Sequence, residues 1–98
     1  MMLAIEPPAI VQILTDHGGT LGERVAVTEW LKRNGISVQI IGVCASACIW
    51  LFTLPRDQVC VAPDAWIGSH SHLGSPDDTI EWQRGRDLIA QGQRECAR

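Results

Sequence analysis

Asn34-Gly35-Ile36-Ser37-Val38-Gln39-Ile40-Ile41-Gly42-Val43-Cys44-Ala45-Ser46-Ala47-Cys48-Ile49-Trp50-Leu51-Phe52-Thr53-Leu54-Pro55 carries no charged residue, and its reading decides the fold. Its length would suit a membrane-spanning helix. Its internal pattern argues against one. Ile36 to Ile41 is β-branched and partly alternating, as a strand requires. Gly42 then separates that run from the small residues Val43 to Cys48, and Pro55 stops the apolar stretch that follows. A buried strand over Ile36–Ile41 feeding a buried helix from about Ala45 to Leu54 accounts for both halves without a membrane span.

The flanks supply the rest of an α/β pattern. Upstream, Ile10 to Thr15 reads as a short buried strand that ends at the turn Asp16-His17-Gly18-Gly19. Thr20 followed by Glu23 is a capping box and starts a helix. Leu21, Val25, Trp30 and Leu31, with Ala26 and Val27 between them, give that helix a broad buried face, and Asn34-Gly35 ends it. Downstream, Gln58 to Ala62 is strand-like. Ala65 to Gly68 is a further short strand leading into Ser69-His70-Ser71-His72, and Gly74-Ser75-Pro76 is a loop. Asp77 to about Ala97 is predicted as a C-terminal helix, opening with acids and closing with Arg94 and Arg98 as the helix dipole favours. Strand and helix alternation implies parallel pairing through right-handed crossovers.

Ninety-eight residues, 46% of them hydrophobic and 19% charged, fit one globular domain over 1–98. A net charge of −3 without a Lys/Arg run argues against a nucleic-acid partner. Met1 to Pro8 lacks the basic start of a signal peptide, so a cytoplasmic chain is the default expectation. The four cysteines read first as small buried side chains. A Cys44–Cys48 bond is the alternative, whereas Cys60 and Cys96 stand alone. Trp30, Trp50, Trp66 and Trp82 read as core residues, or as contact surface where exposed.

Chemistry in parallel α/β units gathers where strands end and helices begin. One such junction holds Gly18-Gly19, whose backbone N–H groups stand clear of side chains, as an oxyanion hole needs. A sharp turn is the plainer reading of that pair. At the other junction Ser46 lies between two alanines near a helix start. There the small neighbours leave room for a carbonyl, and the dipole favours negative charge. An ordinary helix cap is the plainer reading of this serine. A nucleophilic serine needs a base, and His17, His70 and His72 are the candidates.

Taken together, Gly18-Gly19, then Gly42-Val43-Cys44-Ala45-Ser46-Ala47-Cys48, then Val61-Ala62-Pro63-Asp64-Ala65-Trp66-Ile67-Gly68-Ser69-His70 resemble the Clp protease proteolytic subunit within the Clp/crotonase superfamily. The resemblance is nearest to small bacterial Clp-like proteins with a Cys-Ala-Ser-Ala-Cys motif, and it covers Ile10 to His70. It implies a Clp/crotonase-like fold of repeated β-α units, shortened at both ends. It also implies a serine hydrolase, with a peptide or small acyl substrate and no cofactor or metal. By position, Ser46 would be the nucleophile and His70 its general base. The backbone N–H groups of Gly19 and Ala47 would form the oxyanion hole. Asp77 and Asp78, with Glu81 beyond them, are the nearest acids for a third catalytic position. The resemblance further implies a homo-oligomer, and relatives that are often exported.

Three other readings compete. A catalytically inactive binding or assembly module would keep the fold and lose the chemistry. A crotonase-type acyl-CoA enzyme would use the paired N–H groups but would not need Ser46 and His70 together. A zinc site would draw on Cys44, Cys48, Cys60, Cys96, His70 and His72, although Cys44 and Cys48 flank a helix start inside an apolar stretch.

Overall fold

The structure, a computed structural model, describes residues 10–70 and 79–97. It is a mixed α/β fold built on one mixed sheet. The described elements are β1 (Ile10–Asp16), α1 (Leu21–Arg33), β2 (Ser37–Ala45), a 3₁₀ helix over Ser46–Thr53, and a short 3₁₀ turn at Arg56–Gln58. They continue with β3 (Val59–Val61), β4 (Trp66–His70), β5 (Ile80–Arg84) and α2 (Gly85–Ala90).

β2 is the centre of the sheet. β1 lies parallel along one of its edges, with Ile10 opposite Ser37 and Asp16 opposite Cys44. The other edge is shared. β3 pairs with the first half of β2, Val38 to Val59 and Ile40 to Val61, and β4 pairs with the second half, Val43 to Trp66 and Ala45 to Gly68. All three pairings of β2 are parallel. Alternation along β2 sends Val38, Ile40 and Cys44 into the core, where each is fully buried. Ile36, Val59, Val61 and Ile67 join them, and Leu31 of α1 with Cys48, Leu51 and Leu54 of the 3₁₀ helix close the layer.

The helix start read from Thr20 is present, its hydroxyl accepting the Glu23 N–H at 3.4 Å. The buried face of α1 is narrower than its sequence suggests. Thr28 and Leu31 are buried, whereas Leu21, Val27 and Trp30 are exposed. Thr28 fits there because its hydroxyl donates to the Arg24 carbonyl at 2.7 Å. The four tryptophans are likewise exposed, between 36% and 45%, which overturns the core reading of each. No helix among the described residues is long and apolar enough to cross a membrane.

Three expectations are corrected. First, β2 runs on to Ala45, and the segment after it is 3₁₀ rather than α-helical, beginning at Ser46.

Second, the helix expected over Asp77–Ala97 is not one helix. Ile80-Glu81-Trp82-Gln83-Arg84 alternates with period two and pairs antiparallel with β4, Ile80 opposite His70 and Arg84 opposite Trp66. This strand breaks the all-parallel expectation. Gly68 leaves the room in which the Trp82 ring lies, and the Arg84 guanidinium stacks 3.9 Å from the Trp66 ring centre. The helix that follows is short and ends before Gly92. Beyond it the chain extends beside β3, with the Val61 N–H donating to the Arg94 carbonyl at 2.9 Å and the Cys96 N–H to the Val61 carbonyl at 3.1 Å.

Third, all four cysteines are bonded, Cys44 to Cys48 and Cys60 to Cys96. The second bond spans 36 residues and fixes that returning tail to β3. It had no local sequence signal because its partners meet only after the chain folds back.

Candidate active site

Two junctions on one side of the sheet converge. β1 ends at Asp16 and leads through His17 to Gly19 into α1, and β2 ends at Ala45 and turns directly into the 3₁₀ helix. β1 and β2 are adjacent and parallel, so their C-terminal ends, and the loops after them, are neighbours.

Ser46 stands at the second turn with φ +58°, the only non-glycine residue with positive φ among the described residues. A left-handed serine between strand and helix is a strained conformation of the kind that holds a nucleophile out of its own backbone's way. The turn is braced on both sides. Ala45 and Ala47 are buried and small, and the Cys44–Cys48 bond ties the last residues of β2 to the first turn of the helix, bracketing Ser46.

Gly18 faces this turn. Its φ is +97°, and a Cβ placed on it would lie 2.8 Å from the Ser46 Cβ and 3.0 Å from the Ala47 nitrogen. Only glycine brings the first loop that close. Gly42 solves a similar problem earlier in β2. A Cβ there would overlap the Leu14 carbonyl oxygen, at the point where β1 is irregular between Ile13 and Thr15.

His70, the last residue of β4, approaches from the other edge of β2. Its Nε2 is 2.8 Å from the Ser46 Oγ. A nucleophilic hydroxyl within hydrogen-bond reach of an imidazole nitrogen is the minimum that serine catalysis requires. Gly19, Ser46, Ala47 and His70 line one cavity of about 360 Å³. Ala47 is the second residue of the 3₁₀ helix, a position whose N–H has no acceptor within its own helix. The rest of the wall is contributed by Leu21, Ile49, Trp50 and Ser69, which makes it largely apolar, and among the described residues no Asp, Glu, Lys or Arg lines it.

The other sequence candidates fall elsewhere. His17 lines a separate apolar cavity with Val43, Trp66 and Trp82 and is not in the Ser46 cavity. His72, Asp77 and Asp78 lie outside the described residues. Glu81 is exposed on β5 and sits opposite Ser69. With all four thiols in disulfides, the cysteines cannot serve as thiolate zinc ligands. No group of three His, Cys, Asp or Glu among the described residues could hold a metal ion.

Two elements of the site escaped sequence reading. The left-handed backbone of Ser46 has no signature in residue type. The Asp16–Arg24 ion pair, described below, joins residues eight apart across a loop, a spacing that marks no local motif. Comparisons with family models, with curated proteins and with solved structures find no match to the chain.

Proposed function

We propose that this protein is a serine hydrolase that acts through Ser46 and His70 on an uncharged acyl substrate, such as a peptide or a small ester with an apolar acyl group. The single observation that carries the reading is the 2.8 Å contact between Ser46 Oγ and His70 Nε2, set in a cavity shared with Gly19 and Ala47. In this mechanism His70 Nε2 accepts the hydroxyl proton as Oγ attacks the substrate carbonyl carbon. The oxygen that becomes anionic is held by the N–H groups of Gly19 and Ala47. The His70 imidazolium then returns its proton to the leaving group, and an acyl ester remains on Ser46. Water, deprotonated by His70, attacks that ester, and the imidazolium returns the proton to Ser46 Oγ as the acid leaves.

The wall of Leu21, Ile49 and Trp50 supports an apolar group on the acyl side, because these side chains offer a charged one nothing in exchange for its hydration. The order of the Gly-Gly, serine and histidine motifs supports a Clp/crotonase-type fold as the frame. The two disulfides favour an oxidising compartment over the cytoplasm expected by default.

The test is hydrolysis of p-nitrophenyl esters of increasing acyl length by the full chain. Rates should rise from acetate to an acyl chain of intermediate length. Ser46→Ala and His70→Ala should each remove about 10⁴-fold or more of kcat without loss of fold, as knocking out a nucleophile or its base does elsewhere. Hydrolysis that survives both substitutions would overturn the proposal.

A further inference from the structure

The loop that carries Gly19 is held by a clamp between Asp16 and Arg24. The Gly18 N–H donates to Asp16 Oδ1 at 2.8 Å. Arg24, one turn into α1, meets both oxygens of the same carboxylate, Nη2 to Oδ1 and Nη1 to Oδ2, each at 2.7 Å. Arg24 Nη2 also donates to the Gly18 carbonyl oxygen at 3.4 Å. The pair is mostly shielded, with the side chains of Arg24 and Asp16 24% and 12% exposed. Two parallel N–H···O bonds to one carboxylate fix orientation as well as distance, which a single-point contact does not.

Peptide planarity turns this clamp into a statement about the site. The Gly18 carbonyl and the Gly19 N–H belong to one planar trans unit, so they point in opposite directions. Arg24 holds the carbonyl on its own side, and the Gly19 N–H is thereby directed to the opposite side of the loop. The Gly18 N–H is already engaged by Asp16, so of the two glycine N–H groups it is that of Gly19, which lines the cavity, that can serve as donor toward substrate. Nothing about Gly18 itself would enforce this, because glycine rotates about its own φ and ψ with little steric penalty.

We infer that Asp16 and Arg24 are positioning residues for catalysis, aiming the Gly19 N–H at the developing oxyanion by pinning both polar groups of Gly18. The inference rests on the hydrolase reading above and adds to it two residues that never touch substrate.

Arg24→Ala and Asp16→Asn in the full chain test it, with Arg24→Lys as the conservative variant and p-nitrophenyl butyrate as the probe substrate. A misaimed donor weakens binding of the transition state and not of the ground state. Arg24→Ala should therefore lower kcat on the order of 10–100-fold, at or below the loss of a whole oxyanion donor, with KM within about twofold. Added guanidine should restore part of that kcat, and Arg24→Lys should restore less than the full value because an ammonium lacks the fork. In parallel, the amide resonances of Gly18 and Gly19 should shift and exchange faster with solvent in both variants. Wild-type kcat in a folded Arg24→Ala protein, or a loss seen wholly in KM, would overturn the inference. A wild-type chain with no Ser46-dependent hydrolysis overturns the function instead. The glycine amides then still decide the clamp, since amides unchanged in Arg24→Ala and Asp16→Asn show that nothing was being held.

Discussion

The two halves of β2 do different work, although they are one continuous strand. From Ser37 to Ile41 the strand is regular. Val38 and Ile40 are fully buried, β1 and β3 flank them in unbroken parallel register, and the β3 partner is tied by Cys60 to the tail at Cys96. From Gly42 to Ala45 regularity is given up. β1 slips its register between Ile13 and Thr15, Gly42 passes against a carbonyl of β1, and the strand ends in a left-handed serine inside the Cys44–Cys48 bond. The first half holds the sheet by burying β-branched side chains. The second half gives up ladder regularity to bring three separate pieces of chain, Gly19, Ser46-Ala47 and His70, around one cavity. Substitutions in the first half should therefore change stability and leave chemistry alone, whereas those in the second should also lower activity.

Among substitutions that contrast the two halves, the largest effect is on the structural side. Replacing Cys60 and Cys96 together by alanine releases a loop closure of 36 residues, worth about 4 kcal/mol of unfolding free energy in the chain-entropy account. Urea unfolding should show that loss, while kcat for ester hydrolysis, measured well below the transition, stays within about twofold.

Gly18→Ala comes next and acts on the other half. A methyl group at that position meets the Ser46 Cβ and lies on a backbone at φ +97°, so the loop must withdraw from the serine turn. The expected loss is on the order of 10²-fold in kcat, comparable to the loss of one oxyanion donor. A Gly18→Ala protein with full activity would break the division between the halves.

The smallest of these effects sharpens the contrast between the two cystines. Cys44→Ala with Cys48→Ala opens a bond between residues only four apart, so the stability loss should be about 2 kcal/mol, half that of the distal pair. Unlike the distal pair, it should also lower kcat, on the order of 10-fold, because the turn that holds Ser46 is no longer closed. Equal kcat values for the two double variants would show that the bracket does not shape the site.

The same division explains what could be read in the sequence. Ile36 to Ile41, the helix start at Thr20 and the stop at Asn34-Gly35 are local patterns, each written in a handful of neighbouring residues, and each element forms. Ser46 and His70 could be named from motif order, and the structure places their side chains in contact. What could not be read depends on contacts between distant residues. β5 hides in a segment of helical composition because its edge is decided by pairing with β4, and the period-two alternation of Ile80, Trp82 and Arg84 was its one visible signal. The Cys60–Cys96 bond depends on the tail returning to β3. The positive φ at Ser46 is not a conformation that serine prefers, so residue type does not record it.

The central claim is that Ser46 is an activated nucleophile. A fluorophosphonate, which reacts with serine hydroxyls only where a base activates them, tests it most directly, read by intact mass and by peptide mapping of the folded chain. The prediction is one adduct per chain, on Ser46, absent in Ser46→Ala and strongly slowed in His70→Ala. A folded protein that takes up no adduct, or one still labelled after Ser46→Ala, would contradict the claim.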